Sequence, residues 1–253
     1  MRTKRTLGVD LSADPENTAA CLIRWDEEGA EIEELVKGSR RRPIDDDRLL
    51  DLIGRATKCG IDAPFGWPVP FVEAVRAWEQ SWNKGGEWPE VEDYDDYRWR
   101  VTDRQVVEPR PPLSVSTDLL GVTAFRCAAL LAKLGDRVDR SGAKGLVIEV
   151  YPAAALKHWG LDAEGYKKSK GKEVRLKLVS QLCKRLKGLC PLEGDHRDLC
   201  ERSDDALDAL IASLVVRARL LGKTSKPSSS EREHARIEGW LHIPSCRLAE
   251  LAA

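Results

Sequence analysis

The sequence predicts an α/β protein, a mixed sheet with helices on both faces, formed as one domain over residues 1–253 with an inserted tryptophan-rich segment. Three observations predict it. Three β-rich runs follow one another before any helix; later strand-like runs alternate with amphipathic helices; and three apolar runs each carry one acid at or near the end. The balance of 41 Lys+Arg against 42 Asp+Glu, with 42% hydrophobic residues, excludes a disordered tail and a histone-like polycation. A chain of this length buries enough apolar surface to be stable without disulfides or structural metal.

Thr6-Leu-Gly-Val-Asp10 and Thr18 to Trp25 read as two strands around a polar turn containing Pro15 and Asn17. Ala30 to Val36 alternates apolar and acidic residues, as a strand with one solvated face does. Asp45 to Ala56 sets Leu49, Leu50, Leu52 and Ile53 at helical spacing behind acids that complement the helix dipole. Cys59-Gly-Ile-Asp62 is a fourth strand, broken by Pro64, Gly66, Pro68 and Pro70.

Residues 65–118 differ in composition. They hold five of the eight tryptophans (Trp67, Trp78, Trp82, Trp88, Trp99), an acidic run, and Arg98, Arg100, Arg104 and Arg110, and they read as an insertion or lid with its own small aromatic core. A helix from Leu119 to Leu134 follows, then a buried strand, Gly145 to Pro152, that carries Glu149, with Pro152 also opening a short helix. Glu173 to Leu186 is amphipathic, preceded by a basic loop, Tyr166 to Lys172. Ser203 is the expected N-cap of a helix over 204–220. Residues 223–253 form a tail that returns to the domain, with 239–244 as a late edge strand. This is not strict βαβα alternation, and the sequence lacks a dinucleotide fingerprint, a Walker loop, a nucleophile elbow and a metalloprotease helix.

No run approaches the roughly 18 apolar residues that a membrane span needs. The basic N-terminus leads into no hydrophobic leader, and the seven cysteines show no disulfide spacing, so the expectation is a cytoplasmic protein. Cys183, Cys190, His196 and Cys200 are of zinc-ligand type, but without a C-x-x-C pair they do not predict a zinc site.

The acids carry the chemistry. Asp10, Asp62 and Glu149 each sit in an apolar strand, where a carboxylate is costly to bury unless it is paired or binds a metal. Asp205 and Asp208 stand three apart, on one face of the 204–220 helix, among apolar neighbours. Acids converging from strand ends and a packed helix make a hard-oxygen site for Mg²⁺ or Mn²⁺. Each acid taken alone has a plainer use: capping a turn, pairing with an arginine or, for Asp204, complementing the helix dipole.

The segments Gly8-Val-Asp10-Leu, Gly60-Ile-Asp62-Ala-Pro-Phe-Gly66, Arg100-Val-Thr-Asp103, Leu113 to Gly121, Glu149-Val-Tyr-Pro152, Tyr166-Lys-Lys168, Asp205-Ala-Leu-Asp208-Ala-Leu and Glu238 to Pro244 together resemble domain of unknown function 429, the predicted RNase H-like nucleases. The resemblance implies an RNase H-like fold, with three antiparallel strands first and acids at the centre of the sheet. The Asp205-x-x-Asp208-Ala helix is also similar to the acidic pair of RuvC-type resolvases. By that likeness Asp10 matches the first-strand acid and Asp62 the middle-strand acid, while Glu149 is an extra ligand or a substrate contact.

The expected activity is divalent-metal-dependent hydrolysis of a nucleic-acid phosphodiester. Asp10, Asp62, Asp205 and Asp208 would be the metal ligands and Glu149 a further catalytic acid, with Arg100, Lys167, Lys168 and Lys172 binding substrate. Two other classes remain open: an actin-like phosphotransferase or ATPase, although Asp62 leads into Ala-Pro-Phe instead of a glycine-rich phosphate loop, and a non-catalytic nucleic-acid or protein-binding module.

Overall fold

The computed structural model describes residues 3–27, 29–81, 84, 88–89, 91, 93–106, 112–161, 163–167 and 171–252. Six strands, β1 (Lys4–Asp10), β2 (Ala19–Trp25), β3 (Ala30–Lys37), β4 (Lys58–Asp62), β5 (Val147–Val150) and β6 (Leu241–His242), form one sheet in the order β3-β2-β1-β4-β5-β6. The first three are antiparallel, and β4, β5 and β6 run parallel to β1. The helices are α1 (Asp46–Arg55), α2 (Val69–Ser81), α3 (Asp95–Arg98), α4 (Gly121–Leu134), α5 (Pro152–His158), α6 (Lys172–Leu186), α7 (Gly194–Arg202), α8 (Asp204–Leu220) and α9 (Arg232–Glu238). This mixed sheet between helices is an RNase H-like α/β fold.

The period-2 alternation of the strands divides the core into two layers. Leu7, Val9, Ala20 and Leu22 pack with Leu49, Leu52 and Ile53 of α1 and with Cys127, Leu130 and Leu134 of α4. Cys21, Ile23, Trp25, Ile148 and Val150 face the other way, onto α5, α6 and α8. The expected N-cap at Ser203 forms, its side chain accepting from Ala206 N, and Asp45 caps α1 in the same way, accepting from Arg48 N.

α8 is buried all round from Ala206 to Ala218, which makes it the central helix of its layer. Two glycines let its backbone lie directly on the sheet. A Cβ at Gly8 would stand 2.1 Å from the Ala209 carbonyl oxygen, and one at Gly60 would stand 2.7 Å from Val216 Cγ2. Its register on β1 is held by buried hydroxyls, with Ser213 Oγ donating to Thr6 O at 3.0 Å and Trp25 Nε1 to Thr6 Oγ1 at 2.9 Å. Asp10 and Asp62 follow Gly8 and Gly60 by two residues, so they share the face on which α8 begins.

Four helices lie where the sequence pattern predicts none: α2, α3, α7 and α9. Between β4 and α4 the aromatics stack among themselves, Trp78 on Trp88 at 6.3 Å and Trp88 on Tyr97 at 5.8 Å. Trp82 and Arg110 of this segment lie outside the described residues. The C-terminal segment returns through α9 and adds β6 beside β5, Glu149 opposite Leu241. Among the described residues no helix is long and apolar enough to cross a membrane, and all seven cysteines are free thiols.

Candidate metal centre

β1 and β4 are parallel neighbours in register, with Asp10 opposite Asp62 at their C-terminal ends. α8 descends onto this point across Gly8 and Gly60 and places Asp208, in its second turn, against both. The result is three carboxylates with one oxygen each lying within 4.8 Å of one another, the one convergent group of metal-ligand type among the described residues. Asp208 is 1% exposed, and Asp10 and Asp62 are partly open to a cleft of about 460 Å³ that Tyr151, Tyr166 and Lys167 also line.

Within the protein the cluster is only partly compensated. Tyr166 Oη donates to Asp208 Oδ1 at 2.6 Å, and Lys167 Nζ sits 2.5 Å from Oδ2. The Lys167 side chain is 46% exposed along its stem, while its ammonium tip lies among the acids. Burial pushes the Asp10 carboxyl well above the carboxylate range, and Asp208 and Asp62 push it further. Burial raises Asp62 to about 7, Lys167 opposing and Asp208 assisting. Asp208 is raised by burial against the pull of Lys167 and Tyr166. Burial would lower the Lys167 ammonium, but Asp208 and the other acids hold it well above its ordinary value. With all three carboxyls ionised, as a bound cation would require, the one ammonium that meets them among the described residues leaves two negative charges, the charge of one divalent cation, and the donors are all hard oxygens. The residues present therefore fit Mg²⁺ or Mn²⁺.

The other predicted acids are used elsewhere. Asp205 turns outward and pairs with Lys37 at 2.6 Å. Glu149 lies in β5 opposite Ile61, on the face away from α8, and its carboxylate is taken by Arg100: Nη2 donates to Oε1 at 2.7 Å and Nη1 to Oε2 at 2.9 Å. Phe65 N donates to the same Oε2 at 3.1 Å. Arg100 also binds Asp103, Nη2 to Oδ1 at 2.8 Å and Nε to Oδ2 at 3.0 Å, and is 3% exposed. Burial would lower the Arg100 guanidinium, but Glu149 and Asp103 raise it; burial raises Glu149 against Arg100. Arg100 and Glu149 thus wall the cleft as a closed ion pair, their charges already spent on each other.

Glu238 completes this lock. Its carboxylate accepts from Val69 N at 2.9 Å and Val101 N at 2.8 Å, and its carbonyl accepts from Arg100 Nη1 at 3.0 Å. Gly239, at φ 94°, passes so close that a Cβ would stand 2.5 Å from Glu149 Oε2. Four of the sequence motifs, those at Phe65, Arg100, Glu149 and Glu238, therefore meet in one buried network that ties the 65–118 segment and the C-terminal segment to the sheet. Of the predicted substrate-binding lysines, Lys167 is in the cluster, Lys172 is exposed at the start of α6, and Lys168 lies outside the described residues. Tyr166, whose hydroxyl holds Asp208, shows in the sequence only as the first residue of a basic loop, and its one signal there is its place next to Lys167 in a motif.

Fold and site together define an RNase H-like protein with a buried three-carboxylate cluster at the centre of its sheet. The model of a family described as protein of unknown function, DUF429, matches residues 8–232, and the chain belongs to that family. No curated protein and no solved structure matches it.

Proposed function

We propose that the protein is a divalent-metal-dependent phosphodiesterase that hydrolyses nucleic acid. The observation that carries this reading is the convergence of Asp10, Asp62 and Asp208 within 4.8 Å at the floor of an open cleft, with a two-charge deficit on the protein side. These three residues would hold Mg²⁺ or Mn²⁺, which when bound supplies Lewis acidity and lowers the pKa of a water at the scissile phosphorus. Tyr166 fixes Asp208 through Oδ1, so that this carboxylate meets the cluster in one orientation. Lys167, anchored to Oδ2 by its tip alone, has an exposed stem that lets the ammonium transfer to a phosphate oxygen entering the cleft.

The test is cleavage of end-labelled single- and double-stranded DNA and RNA in Mg²⁺, in Mn²⁺ and in EDTA. The expected result is ion-dependent cleavage that Asp10→Asn and Asp208→Asn abolish while both variants stay folded. Full activity in both variants overturns the assignment.

A further inference from the structure

A second cleft, of about 1030 Å³, lies along the β6 edge of the sheet. Four separate stretches of chain bring cations to it: Arg140 and Lys144 from the loop between α4 and β5, Arg219 from the last turn of α8, Lys226 from the loop after it, and Arg232 and Arg236 from α9. The two α9 arginines stand four apart, on one helix face. Among the described residues none of the six forms an ion pair, although the chain as a whole is charge-balanced. Five are exposed; Arg219 is half-buried, donates through Nη2 to Gly142 O at 2.8 Å, and keeps a buried Nε with no hydrogen-bond partner.

Two acids in the lining, Asp136 and Asp139, offset only part of the charge of six cations, and Asp139, which feels Arg236, makes no ion pair among the described residues. Asp139 spends its carboxylate on a turn, accepting from Ser141 N at 3.0 Å and Ser141 Oγ at 2.6 Å through Oδ1, and from Lys144 N at 2.9 Å through Oδ2. The remaining wall is largely aliphatic, with Ala128, Leu131, Ala132 and Val138; two aromatic rings join it, Phe65, which is buried, and Trp67, which is partly exposed and packs against Phe125 at 5.7 Å. A concave surface with six cations, two of them exposed arginines side by side, focuses positive potential and suits the fixed geometry of phosphate oxygens. An aromatic ring at the border suits a base.

We propose that this cleft is a binding site for nucleotide phosphates, separate from the carboxylate cluster and independent of metal. The ligand is either a strand of nucleic acid lying along the β6 edge or a free nucleotide, and the two share the same chemistry. Strand binding releases counterions in proportion to the phosphates contacted, with a slope of about −0.7 per contact for single strands. A mononucleotide lacks the length to do this.

The test uses the full chain in EDTA, with a fluorescein-labelled 20-nucleotide single strand followed by anisotropy across a salt series. The variant Lys226→Gln, Arg232→Gln, Arg236→Gln is expected to weaken binding at least about tenfold and to reduce the salt slope by about two. The control Lys177→Gln, Lys187→Gln, on α6 and just beyond it, is expected to bind as the wild type does. Displacement of the strand by an equal phosphate concentration of AMP or ATP identifies a nucleotide site; resistance to it identifies a strand site. Because the triple variant could fail to fold, lysine acetylation footprinting of the wild type is the second readout, with Lys144 and Lys226 protected by the probe and Lys187 not. No binding by the wild type, or undiminished binding by a folded triple variant, overturns the proposal. Asp10→Asn is expected to retain binding, and Mn²⁺-dependent hydrolysis of bis(p-nitrophenyl) phosphate by the triple variant is expected to be unchanged. Failure here and failure of the hydrolytic reading are thereby told apart.

Discussion

Two groups of buried acids stand at neighbouring strand ends of one sheet, and the protein treats them in opposite ways. Glu149 and Asp103 face Arg100, whose planar fork meets both carboxylates with four hydrogen bonds between 2.7 and 3.0 Å, and the Phe65 amide adds a fifth to Glu149. Asp10, Asp62 and Asp208 face one lysine and one phenol, both on Asp208. The first group is closed; in the second, among the described residues, Asp10 and Asp62 have no cation of their own at contact distance. A strand-end acid is therefore structural where the fold supplies its counter-charge; where the fold withholds it, as at Asp10 and Asp62, the carboxylate stays available, and the proposed cation site rests on that difference.

The largest effect that would break this comparison lies in the closed group. Arg100→Met strands two buried carboxylates, and breaking a buried pair from one side costs about 3–5 kcal/mol, on the order of 10 °C in Tm for a chain this long. Thermal unfolding checks it; a loss under about 1 kcal/mol would mean that the network does not hold the segment. The open group predicts the reverse. Asp62→Asn removes a repelled charge, so the metal-free protein is expected to unfold a few degrees higher. Mn²⁺-dependent hydrolysis by the same variant is expected to fall on the order of 10²–10³-fold, the equivalent of about 3–4 kcal/mol of lost transition-state stabilisation.

The pH dependence follows in size. Asp62 titrates near 7 in the fold, chiefly because it is buried, against about 3.9 when unfolded. A raised carboxyl contributes stability that is complete below the unfolded value and is lost as pH rises through the folded one. The Tm of metal-free protein is thus expected to drop by a few degrees between pH 4 and 8, and Mn²⁺ is expected to restore it. A flat profile, or one equally steep in Asp62→Asn, contradicts the assignment. The smallest effect belongs to Lys167. Its stem is solvent-screened, so Lys167→Met is expected to tighten Mn²⁺ binding by calorimetry only about fivefold, on the order of 1 kcal/mol.

The sheet was legible in the sequence because its first strands alternate and its breakers are prolines and glycines. Asp10 and Asp62 were legible as acids ending apolar runs. The choice between Asp205 and Asp208 was not, since both share a helix face; it depends on how far α8 sinks onto Gly8 and Gly60, a tertiary distance with no local pattern. Glu149 lies in a strand buried on both sides, so alternation could not show that it faces away from α8. Its partner Arg100 is 49 residues distant in sequence. α3, α7 and α9 carry no signal of their own because such short polar helices lean on contacts, and α2 starts among the prolines that end β4; α9 carries two of the cleft's arginines.

The central claim, that the open group is a cation site, is tested most directly by anomalous scattering from a crystal soaked in Mn²⁺. The expected result is a peak bounded by Asp10, Asp62 and Asp208, with the Lys167 ammonium displaced from Asp208 and the Arg100–Glu149 pair unmoved. A Mn²⁺ peak on Glu149, or no peak among the three aspartates at millimolar Mn²⁺ above pH 7, would contradict it.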